Sequence, residues 1–352
     1  MLRSPALPVG LSAIALFALE PFVGKVLLPR MGGTPMVWNT CVMVFQLLLL
    51  AGYWYSVELG RMTDVPKAAR RHAVLVAAAS LSWPFTVRAL WQSPWPGVAP
   101  VPWIVAVSVL GIGLPFVVLS ATSPLVQVWR ARDPRSATPV HRLYAVSNVA
   151  SVIGLVLYVG VIEPLVGVRM QSWIIWVLAT AGTLLSLMAA RGLEGVVPPA
   201  PVAPVETSAT AAVAPRPAPR PVLWFALSFA ASMCLFSVNT YLATDVASFP
   251  LLFAVPLAVF LMAFALGFSA MAERLGRWLQ LAAFAAGGGA LYYLLRVSTP
   301  ATSVFDLPLP LVALGGIVTA LAARLAHTRP DDARLPTFYT IISAGGVAAG
   351  VV

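Results

Sequence analysis

Long apolar stretches, separated by short charged or proline-rich breaks, run through the whole chain. A transmembrane helix needs about 20 mostly apolar residues to cross a hydrocarbon core of about 30 Å. Eleven stretches have about that length, so the pattern predicts an all-α, polytopic transmembrane helical bundle of about eleven helices. The predicted helices lie near residues 8–29, 36–58, 73–91, 101–129, 143–166, 170–190, 222–242, 248–270, 278–295, 307–325 and 337–352.

The composition narrows the class of protein further. Hydrophobic residues make up 60% of the 352 residues and charged residues only 10%, whereas soluble domains carry about 25% charged residues. This composition excludes a water-soluble enzyme and predicts that the chain is embedded in a lipid bilayer, which is therefore its main partner. The net charge of +10 does not indicate a nucleic acid partner, because in so apolar a chain lysine and arginine act first as topology signals.

Lysine and arginine alternate between the two ends of the predicted helices. With a cytoplasmic N-terminus, seventeen of the 22 basic residues fall in cytoplasmic loops or at cytoplasmic helix ends. Cytoplasmic loops of membrane proteins are enriched in these residues, so the chain is predicted to begin inside. The five basic residues elsewhere are Lys25, Arg30, Arg88, Arg169 and Arg296.

A proline- and alanine-rich stretch, residues 195–221, divides the chain. It has no apolar periodicity and is predicted to be an extended cytoplasmic linker. Residues 1–194 then form a first membrane half of six helices, and residues 222–352 a second half of five. This layout resembles two transporter halves with the last helix missing. Because the final run is only 16 residues long, we expect the natural polypeptide to continue past Val352.

Glu20 is the clearest ionisable side chain inside a predicted span. Burying such a group in a bilayer costs at least about 2.5 kcal/mol, and Pro21 leaves the carbonyl of Phe17 without its helical hydrogen bond. The carboxyl either binds a proton or cation, or it is protonated or paired with Lys25 or with another helix. Lys25 is about 140° away around an ideal helix, and we expect it to extend to the outer surface.

A short phrase of the first helix returns in the fifth. Residues 18–24 and residues 161–167 share the pattern Glu-Pro-apolar-Val-Gly. Both helices are predicted to run in the same direction, so a true repeat would be parallel. Glu163, the acidic residue of the second phrase, is predicted to lie close to the outer interface.

Other polar side chains lie inside or next to the predicted spans. Polar residues in a bilayer either form hydrogen bonds between helices or line a path for a substrate, and both readings stay open for them. Asp245 follows the seventh helix at the predicted outer face. The candidate residues are Glu20, Lys25, Asn39, Gln46, Asn148, Glu163, Asn239 and Asp245.

Recognisable cofactor, metal and catalytic motifs are absent from the sequence. It has no P-loop, no H-E-x-x-H and no C-x-x-C, and Cys41 and Cys234 lie in apolar runs that predict packing roles. His72, His141 and His327 are expected in cytoplasmic loops. Tryptophan and tyrosine near helix ends predict an interfacial belt; these residues are Trp38, Tyr53, Trp83, Trp103, Trp129 and Trp173.

Five phrases together resemble the membrane portion of the bacterial fused MFS/spermidine synthase-like proteins. They are Leu19–Pro21 with Leu27–Arg30, Gly33–Thr40, His141–Asn148, Ile162–Leu165 and Thr244–Ser248. The resemblance implies a multi-pass protein of the bacterial inner membrane that works with a soluble aminopropyltransferase-like domain or enzyme. This chain has no hydrophilic segment long enough for that domain, so no catalytic residue is carried over and no enzyme activity of its own is expected.

Three functions follow as hypotheses. The first is a membrane domain of a spermidine synthase-like protein, which anchors a soluble enzyme or conducts a small molecule to it. The alternative is a stand-alone MFS-like secondary transporter, coupled to a proton or cation through Glu20. The third is a permease subunit of a metal-chelate importer.

Overall fold

The computed structural model describes residues 5–31, 34–62, 64–131, 140–191, 220–246, 250–296, 308–330 and 335–351, and every regular element within those ranges is a helix. Eleven of these helices are long. The first six are α1 (Ala6–Leu27), α2 (Pro35–Gly60), α3 (Val65–Thr86), α4 (Pro100–Ala131), α5 (Val140–Leu157) and α6 (Val168–Arg191). The other five are α7 (Pro221–Tyr241), α8 (Pro250–Gly267), α9 (Arg277–Arg296), α10 (Pro308–His327) and α11 (Leu335–Val351).

Short helical segments extend or connect these helices. A π-helical turn, Tyr158–Ile162, and a last turn, Glu163–Leu165, prolong α5, and a second π-helical turn, Leu242–Val246, prolongs α7. A 3-10 turn, Val87–Trp91, follows α3, and a short helix, Ala270–Leu275, stands between α8 and α9.

The predicted helical bundle is confirmed. Each of the eleven apolar stretches corresponds to one long helix. Eight of them, α1 to α7 and α10, are long and apolar enough to cross a membrane, and shorter apolar helices cover Ala254–Gly267 and Thr337–Val351. The predicted linker, residues 195–221, lies outside the described residues except for its last two positions, of which Pro221 begins α7.

The six helices α1 to α6 and the five helices α7 to α11 meet mainly along two pairs of helices, with smaller contacts between α2 and α7 and between α1 and α8. α2 packs against α11, and α5 packs against α8. Within the first half, α1 contacts α4, α5 and α6, and within the second half α10 contacts α7, α8 and α9. One apolar cluster, which includes Phe22, Phe116 and Leu314, extends across both halves.

Glycine allows two of the helix crossings to be very close. A Cβ atom on Gly154 of α5 would lie 2.6 Å from the backbone oxygen of Ile14 in α1. A Cβ atom on Gly287 of α9 would lie 2.6 Å from the backbone nitrogen of Ile317 in α10. In a bilayer the hydrophobic effect does not drive helices together, so their association depends on close packing. Small residues of this kind let the helix backbones approach each other closely enough for it.

Two expectations about side-chain placement are wrong. Four of the tryptophans assigned to an interfacial belt are buried in the bundle, with at most 2% of their surface exposed: Trp38, Trp83, Trp103 and Trp129. His72 is not in a loop, because α3 already begins at Val65. Its ring is fully buried, and Nδ1 lies 3.2 Å from the Tyr55 hydroxyl.

Candidate functional site

A cavity of about 220 Å³ lies between the two halves of the bundle. Side chains from α1, α2, α4 and α5 form one wall, and side chains from α7, α8 and α11 form the other. Its polar lining residues are Ser12, Gln46, Tyr53, Ser120, Ser123, Gln127, Ser147, Asn148, Ser151, Ser228, Ser232, Tyr339 and Ser343. Its larger apolar lining residues are Leu16, Phe17, Leu49, Leu119, Phe260, Leu261, Phe264, Phe268 and Ile342.

The cavity lies towards one side of the bundle. We call this the N-terminal side, because α1, α5, α7 and α11 begin there. The lining residues of these four helices lie in their first halves or within a few residues of the middle, whereas those of α2, α4 and α8 lie in their later halves or close to the middle. Since consecutive helices alternate in direction, all seven contributions meet on the N-terminal side, which the charge pattern predicts to be cytoplasmic.

Hydroxyl and amide groups supply the polar surface of the cavity, and none of the lining residues that the structure describes is aspartate, glutamate, lysine, arginine or histidine. Several of the hydroxyls donate to carbonyls of their own helices. Ser120 donates to Val117 at 3.1 Å, and Ser228 donates to Trp224 at 2.9 Å. A hydroxyl has one donor and two acceptor sites, so these oxygens keep acceptor capacity.

The two glutamines of the cavity differ in their hydrogen bonds. Gln127 Nε2 lies 3.1 Å from the hydroxyl of Ser123, to which it donates. Gln46 Oε1 is buried, and no hydrogen bond reaches it from any residue that the structure describes. A buried polar group without a partner is unfavourable by about 1–3 kcal/mol, so Gln46 Oε1 gains from a ligand that donates to it, as does the equally unpartnered Ser12 hydroxyl of the same cavity.

Glu20 stands one helical turn beyond the cavity wall. Ala13, Leu16 and Phe17 line the cavity, and Glu20 follows them at the spacing i, i+3, i+4, i+7 that defines one face of a helix. Its side chain is half-buried. Within the described part of the chain, the carboxyl forms neither an ion pair nor a hydrogen bond, so the pairing of Glu20 with Lys25 is not observed.

Lys25 pairs instead with Glu163. Its Nζ lies 2.7 Å from Glu163 Oε1 and donates to the Glu163 backbone oxygen at 3.3 Å. The two side chains are 23% and 20% exposed, so Lys25 is held in a partly buried ion pair, and its extension to the outer surface stays a prediction. The ion pair joins Glu163 of the second Glu-Pro phrase to Lys25, the residue directly after the first phrase, at the ends of α1 and α5 that lie opposite the N-terminal side.

Gln171 of α6 holds the end of α5 in place beside this ion pair. Its Oε1 accepts a hydrogen bond of 2.7 Å from the Tyr158 hydroxyl, and its Nε2 donates to the Val166 backbone oxygen at 2.6 Å. Gln171 is fully buried. It was not singled out from the sequence, although a glutamine as the second residue of a predicted span was a visible signal.

A hydrogen bond also joins the halves on the side opposite the cavity. Asn39 Nδ2 of α2 donates to Thr240 Oγ1 of α7 at 3.0 Å. Close by along the same helices, a Cβ atom on Gly350 of α11 would lie 2.8 Å from the Cβ of Met43 in α2. The halves are therefore in contact on this side, while the cavity separates them on the N-terminal side.

The candidate residues thus divide into separate places. Gln46 and Asn148 line the cavity, Asn39 links the halves, and Lys25 and Glu163 form an ion pair. Asn239 is 1% exposed, and both polar atoms of its amide are buried without a hydrogen bond to any described residue. The side chain of Asp245 lies outside the described residues.

Most of the serines of the cavity were missed from the sequence. A signal existed, since Ser120, Ser123 and Gln127 recur at i, i+3 and i+7 within α4, and Ser228 and Ser232 at i and i+4 within α7. This spacing places polar groups on one face of a helix. The sequence does not show that the polar faces of separate helices meet.

The fold is an all-helical bundle in the part of the chain that the structure describes, and it is similar to that of a solved peptide transporter. No family model and no curated protein matches the chain. Among solved structures, the chain is similar to a crystal structure of a mutant of the peptide transporter POT in complex with alafosfalin. The TM-score is 0.54 at 15% sequence identity, over 99% of this chain and 86% of that one.

Proposed function

We propose that this chain is an MFS-like secondary transporter that moves a small molecule through the cavity between its halves. The observation that carries the proposal is the cavity itself, which both halves line and which lies towards the N-terminal side. In MFS transporters the substrate site lies at the interface of the two halves, and transport follows from rocking of one half against the other. The hydrogen bond from Asn39 to Thr240 supports this arrangement, because it joins the halves on the opposite side.

Accessibility of the cavity from the two sides of a membrane tests this function without a known substrate. Ser343 lines the cavity, so we suggest Ser343→Cys in a background with Cys41→Ala and Cys234→Ala, reconstituted in vesicles of known orientation. A transporter exposes the new thiol to a membrane-impermeant maleimide from either side in turn. Labelling from one side only would contradict transport and would favour an anchor.

We propose Glu20 as the group that couples transport to a proton or cation. It is half-buried next to the cavity wall and has neither an ion pair nor a hydrogen bond with the described residues. Pro21 also frees the carbonyl of Phe17 one turn away. A carboxyl held in this way can take up a proton without first breaking an ion pair.

Glu20→Gln tests the coupling. If Glu20 couples transport to a proton, the rate at which maleimide labels Ser343→Cys from the side opposite the cavity should depend on pH. We expect Glu20→Gln to abolish this pH dependence while expression and folding stay normal. Glu58→Gln is the matched control, because Glu58 forms an exposed ion pair with Arg61 at a helix end. An unchanged pH dependence in Glu20→Gln would overturn the assignment.

We also propose that the chain is the membrane domain of a spermidine synthase-like protein of the bacterial inner membrane. The five sequence phrases given above support this proposal. Sequencing the locus past codon 352 tests it. A soluble aminopropyltransferase-like domain in frame, or in the adjacent gene, supports the proposal, and unrelated genes there contradict it.

A further inference from the structure

We infer that the cavity binds an uncharged solute that carries several O–H or N–H donors on one side and an apolar face on the other. The inference rests on the proposed function, since it assigns the class of substrate to the cavity between the halves. Three properties of the lining carry it: the charge, the direction of the hydrogen bonds, and the separation of polar from aromatic surface.

The charge of the lining excludes ionic ligands as preferred occupants. All 25 lining residues within the described part of the chain are uncharged by type, and a charged ligand that leaves water for a site without a counter-charge loses hydration without compensation. Glu20, the nearest acidic side chain along α1, does not line the cavity. A polyamine, which carries several positive charges, is therefore disfavoured as an occupant of this cavity.

The hydrogen bonds of the lining favour a ligand that donates. Ser120, Ser151 and Ser228 each use their hydroxyl proton on a backbone carbonyl of their own helix, so towards the cavity these oxygens can only accept. The buried Gln46 Oε1 is also an acceptor, and it lacks a partner among the described residues. These four oxygens offer acceptor sites to the cavity, which matches a ligand with several O–H or N–H groups.

Among the described lining residues, α8 and Phe268 directly after it contribute only apolar side chains to the cavity. Phe260, Phe264 and Phe268 follow one another at a spacing of four residues and form a row of neighbouring rings. The ring centroids are 4.8 Å apart for the first pair and 6.3 Å for the second. The serines and amides lie mainly on α2, α4, α5 and α7, so the ligand needs an apolar face for α8 and a polar one for the other helices.

The volume sets the size of the ligand. About 220 Å³ is many times the 10–15 Å³ that one water molecule needs and somewhat less than the 300–1,000 Å³ of sites for drug-sized molecules. A solute of about monosaccharide size fits this range.

Three matched probes test the class of ligand on the purified full chain. Glucose is neutral, glucosamine carries an ammonium group and glucuronate a carboxylate, each on a ring of the same size. At about pH 6 the amine is protonated and the carboxylate is ionised. In a scintillation proximity assay with radiolabelled probes, we expect at least tenfold more bound glucose than either charged sugar at equal concentration.

A substitution at Gln46 ties the binding to this cavity. Gln46→Leu removes the unpartnered acceptor, so we expect glucose binding to fall about tenfold while the melting temperature stays the same or rises. Gln46→Glu should reverse the preference for glucose over glucosamine, because the new carboxylate gives the cavity a negative charge that compensates the ammonium group of glucosamine. Gln92→Leu is the matched control, since Gln92 lies in the loop between α3 and α4 and does not line the cavity.

The outcomes separate this inference from the proposed function. Preferred binding of glucose that is lost in Gln46→Leu supports the inference about the ligand. Labelling of Ser343→Cys from one side only would contradict the proposed transport function but not this inference. Preferred binding of either charged sugar, or no binding of any probe, overturns the class of ligand. Either of those results leaves the transport test on Ser343→Cys unaffected.

Discussion

The hydrogen bond between Asn39 and Thr240 gives the sharpest prediction about movement of the two halves. It joins α2 of the first half to α7 of the second on the side opposite the cavity. If the halves rock, this bond is present when the cavity faces the N-terminal side and broken when it faces the other. Thr240→Val keeps the shape of the side chain and removes the hydroxyl that accepts from Asn39, so it should favour the second state.

The magnitude follows from the kind of bond that is lost. Hydrogen bonds between membrane helices contribute about 0.6 kcal/mol on average, and this one is exposed, so water can replace the lost partner of the Asn39 amide. A change of about 0.6 kcal/mol shifts a two-state equilibrium about threefold. We therefore expect the maleimide to label Ser343→Cys from the opposite side about three times faster when Thr240→Val is added.

Thr180→Val is the matched control for this experiment. The Thr180 hydroxyl donates to Ser80 Oγ at 3.3 Å, and this bond joins α6 to α3 inside the first half. Its loss should alter the labelling rate little, because rocking of the halves does not break it. An equal rate for Thr240→Val and Thr180→Val, or a slower one for Thr240→Val, would refute the assignment of the Asn39 bond to closure.

Two further predictions concern stability, read as the melting temperature of the purified protein. Gly287→Ala should destabilise by about 1–3 kcal/mol through overpacking, since its Cβ would meet the backbone of Ile317. Gly288→Ala should not destabilise the protein, because nothing lies within 4 Å of a Cβ atom at that position. Equal losses of stability in the two variants would contradict the close crossing of α9 and α10. Lys25→Met should lower the free energy of unfolding by about 1–2 kcal/mol. This value lies between those for exposed and for buried ion pairs, because the pair with Glu163 is partly buried. Adding Glu163→Gln should restore part of that loss, and simple additivity would argue against the pair.

Hydropathy was sufficient to predict the number and approximate limits of the helices, because the thickness of a bilayer dictates how long an apolar helix must be. It could not predict the direction of side chains near helix ends. Trp38 shows why: its ring lies against Gly24 of α1, where a Cβ would collide with it. The space that buries this tryptophan comes from a glycine on another helix, which the local sequence does not reveal.

His72 illustrates a second limit of reading the sequence alone. Three basic residues before it, Lys67, Arg70 and Arg71, indicated a loop. Asp64 instead begins α3 there, as its side chain accepts a hydrogen bond of 2.9 Å from the backbone of Lys67, a typical N-cap contact. The basic residues therefore lie on the first turns of a helix, and His72 is turned into the bundle.

The candidate site shows the same contrast at a larger scale. From the sequence, Gln46 and Asn148 were equally compatible with packing and with a substrate path, because spacing identifies a polar face but not what it meets. The structure brings polar faces from both halves to one cavity and leaves Glu20 just outside it, on the same face of α1. This separation predicts two independent effects: Gln46 should govern which solute binds, and Glu20 should govern how transport depends on pH. A Glu20→Gln variant that changed the preference among the three sugars would mean that the carboxyl contacts the solute directly.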